Sequence, residues 1–225
     1  VDVGATSTTV ASAYRGNLKQ QVYYDLGMGA GMRGLLNETP LEKIHRWLPY
    51  SVQEEYIEEY LHNKMLYPAG LAVTHEDMVI EQAAAREVIR LAIQRSRELF
   101  QPELPRSPAR DTLPGYDYLL IGGSVISLAP DRSQSLLMIL DSLQPIGISR
   151  VILDPSSLAA GLGAAAAVNP MLAVQVMDSN SFVHLGDLIV PVSRARKGTP
   201  VLKLTITYDT GQEKTYEIMQ GSLQV

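Results

Sequence analysis

The sequence contains no cysteine among its 225 residues. That excludes disulfides, zinc–thiolate sites and thiol chemistry, and it suits a reducing cytoplasm. Basic charge is not in excess: the formal net charge is -5, with Lys and Arg scattered. The basic face that a nucleic-acid partner requires is therefore not expected. Nor is there an unbroken apolar run of the roughly 20 residues that cross a bilayer. The most apolar stretch, Leu158 to Val176, is interrupted by Asn169-Pro170 and by glycines. No signal-peptide pattern is present. The expectation is a cytoplasmic protein without nucleic-acid or membrane partners. The chain opens without Met on the strand-like run Val1-Asp2-Val3, which reads as a fragment whose remainder lies upstream.

Several chemistries find no support. His45, His62, His75 and His184 are too dispersed for a metal site. Glu54, Glu55, Glu58 and Glu59 share a helix with Val52, Ile57 and Leu61, so they read as a solvated acidic face. Trp47, Tyr50, Tyr56 and Tyr60 read as helix-packing residues. No nucleophile triad can be assembled. Gly122-Gly123-Ser124 is not a nucleophile elbow, because Ile126 stands where that motif needs glycine.

What is present begins with three short strands in a meander: Val1 to Val3, Thr8 to Ala13 and Leu18 to Tyr24, the latter two joined by Arg15-Gly16-Asn17. A glycine cluster, Gly27 to Gly34, follows as a strand-to-helix connection. Helical patterns then take over. Thr39-Pro40 is expected to open a helix over 41–48, and Ser51 with Glu54 to form a capping box for a helix over 52–65. Thr74 with Asp77 repeats the device before a long helix to about Phe100. Its apolar stripe includes Met78, Ala85, Val88, Ile89, Ala92 and Ile93. Residues 101–115, with Pro102, Pro105, Pro108 and Pro114, read as an exposed linker.

Beyond it, strand (Tyr116 to Ile121), helix (Asp131 to Leu143), strand (Arg150 to Leu153) and helix (Ser156 to Ala167) imply an α/β unit with a parallel sheet and helices on its faces. Strand patterns at 183–192, 201–208 and 215–219, the last two joined by Asp209-Thr210-Gly211, suggest a small β-rich appendage over 178–225. Arg194, Arg196 and Lys197 read as a solvated hairpin tip.

Two glycine motifs carry the functional expectation. In Asp2-Val3-Gly4-Ala5-Thr6-Ser7-Thr8, Gly4 lets backbone approach an anion, successive amides can form a nest, and the Thr6, Ser7 and Thr8 hydroxyls add donors. Asp2 would hold Mg²⁺ through water rather than touch phosphate. In Tyr118-Leu119-Leu120-Ile121-Gly122-Gly123-Ser124, an apolar strand ends in a double glycine at the sheet's carboxyl edge, where open α/β sheets place ligands. Each motif alone is compatible with an ordinary turn.

In this order and spacing the pair resembles the second lobe of the actin-like ATPase superfamily, a ribonuclease H-like fold. The resemblance implies a nucleotide lobe over 1–177 with a meander and inserted helices. It further implies phosphates at Gly4, Ala5, Thr6, Ser7 and Thr8, and adenosine at Gly122, Gly123 and Ser124. The other half of the cleft would come from a first lobe of the same chain, outside this fragment.

The flanks Val1 to Val10, Asp25-Leu26-Gly27-Met28-Gly29, Gly122-Gly123 and Leu140-Asp141-Ser142-Leu143-Gln144-Pro145-Ile146-Gly147 are similar to the carboxyl-terminal half of the MutL-like proteins. These are associated with adenosylcobalamin-dependent glutamate mutase and are distinct from the mismatch-repair protein. This implies an ATP- and Mg²⁺-binding protein that accompanies a B12 mutase as a reactivating or assembly chaperone. Ala5 and Thr6 replace later glycines of the superfamily hairpin, and Thr9 replaces its second acidic residue, so hydrolysis is more in question than binding. A small-molecule kinase of the same fold, and a scaffold that has lost nucleotide, are the alternatives.

Overall fold

A computed structural model describes residues 1–100 and 113–224. The meander forms as expected, as β1 (Asp2–Val3), β2 (Thr8–Tyr14) and β3 (Asn17–Tyr23). Next come α1 (Met32–Glu38), α2 (Leu41–His45), α3 (Glu54–Leu66) and α4 (His75–Arg95). After residue 113 follow β4 (Tyr118–Gly122), α5 (Ser124–Ser127), α6 (Arg132–Leu143), β5 (Gly147–Asp154), α7 (Leu158–Ala166), α8 (Pro170–Met177), β6 (Val183–Val190), β7 (Pro200–Thr207) and β8 (Glu213–Met219).

Six strands form one mixed sheet in the order β3-β2-β1-β4-β5-β6, and β7 and β8 form a separate two-stranded hairpin. The centre is parallel, β1 with β4 and β4 with β5, whereas β2, β3 and β6 run antiparallel to their neighbours. The expected appendage therefore shares its first strand, β6, with the main sheet, and the hairpin alone stands apart. The basic run Arg194 to Lys197 is not a hairpin tip but lies in the segment linking the two sheets, with Gly198 N–H donating to Gln220.

One sheet face is packed by α4, with α6 beside it. The alternation in β2 puts Thr8, Val10 and Ser12 on the buried face, and Leu119, Ile121, Val151 and Leu153 are buried along β4 and β5. Against them α4 presents Ile80, Ala84, Val88, Ile89 and Ala92, all fully buried. The opposite alternation leaves Ala11, Tyr118, Leu120 and Ile148 exposed, so that face is not covered as the expected two-sided layering requires.

Side chains at the N-cap start α4, α6 and α8, at Thr74, Asp131 and Asn169, and the other described α-helices start without one. Thr74 and Asp77 form the capping box: the Asp77 N–H donates to Thr74 Oγ1 (3.0 Å), and the Thr74 N–H donates to Asp77 Oδ2 (3.0 Å). Ser51 does not cap α3, which starts two residues later than that box requires, with Gln53 as its N-cap and no side-chain bond. Thr39 ends α1 rather than opening α2, and its N–H donates to Leu35. The long helix stops at Arg95, because the Ser96 hydroxyl bonds back to the Ala92 carbonyl (2.7 Å) and the chain tightens into a 3-10 turn. Of the expected proline-rich linker, residues 101–112 lie outside the described residues. Leu113 is buried rather than exposed, its N–H donating to the Leu143 carbonyl (3.1 Å).

Helices α3 and α4 are joined by polar pairs at matching i, i+4 spacing, in which the carboxylates are buried and the tyrosines only partly so. The Tyr56 hydroxyl donates to Asp77 and that of Tyr60 to Glu81, each at 2.7 Å. Glu87 accepts from Trp47 Nε1 (2.6 Å) and pairs with Arg46 (3.1 Å). These aromatics thus pack helices, and their polar ends satisfy carboxylates that burial would otherwise penalise. Burial and then the hydrogen bond and charge of Glu81 push the Tyr60 hydroxyl pKa upward.

Candidate anion site at the carboxyl edge of the sheet

Strand β1 is two residues long, and the chain turns at once into the loop 4–7 before returning as β2. The turn closes with the Gly4 N–H donating to the Ser7 carbonyl (2.9 Å). Its other carbonyls face backward into the glycine cluster: Met28 N–H donates to Gly4 (2.9 Å), and Gly29 and Gly31 N–H donate to Ala5 (2.8 and 3.2 Å). The N–H groups of Ala5, Thr6 and Ser7 have no acceptor among the described residues. In a trans peptide, C=O and N–H point opposite ways. Anchoring the Gly4 and Ala5 carbonyls inward therefore aims the Ala5 and Thr6 amides outward. Both residues are exposed. The result is a pair of bare outward donors, the kind of arrangement from which an anion nest can be built.

The hydroxyls divide. Thr6 is exposed and Ser7 half-buried, while Thr8 is fully buried and its Oγ1 has no hydrogen-bond partner among the described residues. Burying such a group costs about 1–3 kcal/mol, so Thr8 is an uncompensated polar atom directly behind the loop.

The structure brings the two glycine motifs together. Asp2 pairs with Gly122 in parallel register, and the Gly122 N–H donates to the Val1 carbonyl (2.9 Å). A Cβ on Gly122 would stand 2.9 Å from Asp2 Oδ1, and one on Gly123 would stand 2.4 Å from the Val3 carbonyl oxygen. Gly123 also has φ +124°, which side chains rarely adopt. Contact with the β1 backbone is thus enough to require Gly123, whatever lies above it, whereas at Gly122 the obstruction is the tip of the exposed Asp2 side chain, which can turn away. Ser124 is exposed at the start of α5. The Asp2 carboxylate is exposed and accepts no hydrogen bond among the described residues. Thr9 is its direct cross-strand partner.

Sequence reasoning missed Asp154. It ends β5 in register with Gly122, so Asp2, Gly122 and Asp154 form one row across three strands. Two strand spacings separate the carboxylate-bearing residues, roughly 10 Å. Asp154 is buried, and its oxygens accept the Leu158 and Ala159 amides (2.9 and 2.8 Å) at the start of α7. The available signal was an Asp ending an apolar strand, four residues before a helical pattern. The glycine cluster is the expected strand-to-helix connection, between β3 and α1, and it is tightly packed: Gly27, Gly29, Gly31 and Gly34 are all buried.

Elsewhere, no group of three or more His, Asp or Glu residues is placed to hold a metal ion among the described residues. Glu54, Glu55, Glu58 and Glu59 are exposed along α3. His75 is exposed and bonds the Tyr50 hydroxyl (3.0 Å). No described helix is long and apolar enough to cross a membrane.

The family model for MutL protein matches residues 1–181, which takes in the loop, the glycine cluster, the double glycine and α7–α8. No match was found among curated proteins or among solved structures. With most of its length matched, the chain belongs to the MutL protein family, the glutamate mutase-associated family whose motifs its sequence resembles.

Proposed function

We propose that this chain is the nucleotide-binding lobe of an actin-like protein that holds MgATP against a complementary lobe and serves an adenosylcobalamin-dependent mutase. The observation that carries the reading is the pair of outward, unpartnered amides at Ala5 and Thr6, on a loop whose carbonyls are spent elsewhere. The strand order β3-β2-β1-β4-β5 with β1, β4 and β5 parallel supports it, being that of a ribonuclease H-like lobe. In this reading the nest and the Thr6 and Ser7 hydroxyls take the phosphates. Asp2 orients water on Mg²⁺, which keeps most of its hydration shell, and the backbone at Gly122 to Ser124 faces the adenosine.

The pairing of Thr9 with Asp2 limits the chemistry. A carboxylate at position 9 would stand opposite Asp2 and help organise the metal; threonine supplies a neutral hydroxyl. Binding with slow turnover follows, which suits a switch that works by lobe closure. Calorimetric titration of MgATP into the chain together with its complementary lobe tests this. Saturable, Mg²⁺-dependent heat is expected, and no binding at millimolar nucleotide overturns the reading. The scaffold alternative makes the opposite prediction for Gly4→Trp: mutase association and melting temperature in ATP both unchanged.

A further inference from the structure

The glycine cluster is not explained by turn geometry, because none of Gly27, Gly29 and Gly31 has a left-handed φ. Their requirement is spatial. A Cβ on Gly27 would meet three backbone atoms of the loop: Ala5 O at 2.8 Å, Gly4 O at 2.9 Å and Ser7 N at 2.9 Å. One on Gly31 would stand 2.6 Å from Thr6 O, and one on Gly29 would stand 3.1 Å from Ala5 O and 2.5 Å from Pro68 Cβ. Backbone cannot rotate away as a side chain can, so a methyl on Gly27 or Gly31 would displace the loop itself, and one on Gly29 would be wedged between Pro68 and the Ala5 carbonyl.

We infer that Gly27, Gly29 and Gly31 are positioning residues of the anion site, forming a backbone cradle that fixes the outward aim of the Ala5 and Thr6 amides, with Pro68 as the wedge behind it. This rests on the nucleotide reading above. The cradle is itself tied down at both sides. Asp25, at its start, accepts at both carboxylate oxygens from Arg95 Nη1 at the end of α4 (2.9 Å each), while Arg95 Nη2 donates to Glu38, and the Asp25 carbonyl takes the Gly34 N–H (3.0 Å). Pro68 sits in a corner closed by the Gly70 N–H on the Tyr67 carbonyl (2.9 Å) and by Lys64 on the Gly70 carbonyl (2.5 Å). Lys64 pairs in turn with Glu81 of α4 (2.5 Å). The loop 4–7 thus inherits the rigidity of α3 and α4 across two backbone layers, and its amides keep their direction without a ligand present.

The test follows the amide signals of Ala5, Thr6 and Ser7 by ¹⁵N NMR while inorganic triphosphate is added to the full chain. The native chain should show saturable shifts at these amides; none at all means the nucleotide reading itself fails. Gly29→Ala, still folded by circular dichroism, should bind about tenfold more weakly, the loss of one hydrogen bond to a charged group. Gly29→Ala combined with Pro68→Gly should recover most of that affinity, since the nearest obstruction is gone. Native binding with unaltered affinity in Gly29→Ala, or a loss that Pro68→Gly does not relieve, overturns the assignment while leaving the nucleotide reading standing. Should Gly29→Ala not fold, Arg95→Gln carries the test, because it frees Asp25 without adding an atom near the loop. A several-fold loss is expected there, and unchanged affinity overturns the assignment.

Discussion

The body of the molecule, through β5, and the helices α7 and α8 use apolar residues in opposite ways. In the body, apolar side chains of every strand of the parallel centre, and of α4 and α6, are buried against one another. From Pro155 to Met177 the sequence has no charged residue, yet neither α7 nor α8 has a buried side chain. Val168 is 89 % exposed, Met171 63 % and Leu172 43 %. Apolar composition therefore does not produce a core by itself; the partner surface does. A helix such as α4, whose stripe meets a sheet, gains about 1.5–3 kcal/mol for each large side chain it buries. The helices α7 and α8 pack mainly on each other and gain little.

The sharpest way to break that comparison is truncation on both sides of it. Ile89→Ala in α4 should lower unfolding stability by about 2–5 kcal/mol in urea, because the side chain is fully buried and its truncation leaves a cavity. Leu172→Ala in α8 should cost no more than about 0.5 kcal/mol. A comparable loss at Leu172 would mean that α8 is covered in solution by a surface absent from these contacts.

Glycines give a second contrast, opposite in sign. Gly123→Ala forces a Cβ to within 2.4 Å of the Val3 carbonyl at φ +124°, and should cost about 1–3 kcal/mol, the range for a residue held in a sparsely populated conformation. Gly163 lies in α7 with nothing within 4 Å of its Cβ position. There Gly163→Ala should stabilise by up to about 1 kcal/mol through helix propensity. Thermal melts of the two variants would show midpoints moving in opposite directions.

The same division governs what the sequence alone makes legible. The capping box at Thr74 and Asp77, the meander around Arg15-Gly16, the buried strand ending at Gly122-Gly123 and the hairpin turn at Gly211 are local devices, and each stands where its pattern puts it. The turn over residues 4–7 between β1 and β2 is legible for the same reason, being continuous in sequence. What escapes is set by non-local backbone. The pairing of β6 with β5 leaves no mark in either strand's own alternation. The burial of Gly27 to Gly31 depends on where residues 4–7 lie, and Asp154 enters the site only through its register with Gly122. The missed cap at Ser51 is a different failure: the motif exists, but the helix begins beyond its reach.

The smallest expected effect separates two aspartates whose pKa values are both held below the ordinary carboxylate range. At Asp77, burial works to raise the value, but hydrogen bonds from Tyr56, from the Thr74 and Val73 amides and from the Thr74 hydroxyl outweigh it. At Asp187, exposed on β6, the lowering comes first from the Arg150 guanidinium and then from His184. A carboxylate with a depressed folded pKa contributes stability above its unfolded value, about 3.9, and loses it as pH falls through the folded value. Both contributions should therefore be intact at neutral pH and fade only below about pH 4. Salt should tell them apart. Exposed ion pairs are screened, whereas neutral donors in a buried cap are not. Carboxyl-carbon NMR titrations in low and high salt should show the Asp187 pKa rising toward the ordinary value while that of Asp77 stays depressed. Equal movement of the two would mean that the α4 cap is as open to solvent as the β6 edge, and the division between body and tail would not extend to electrostatics.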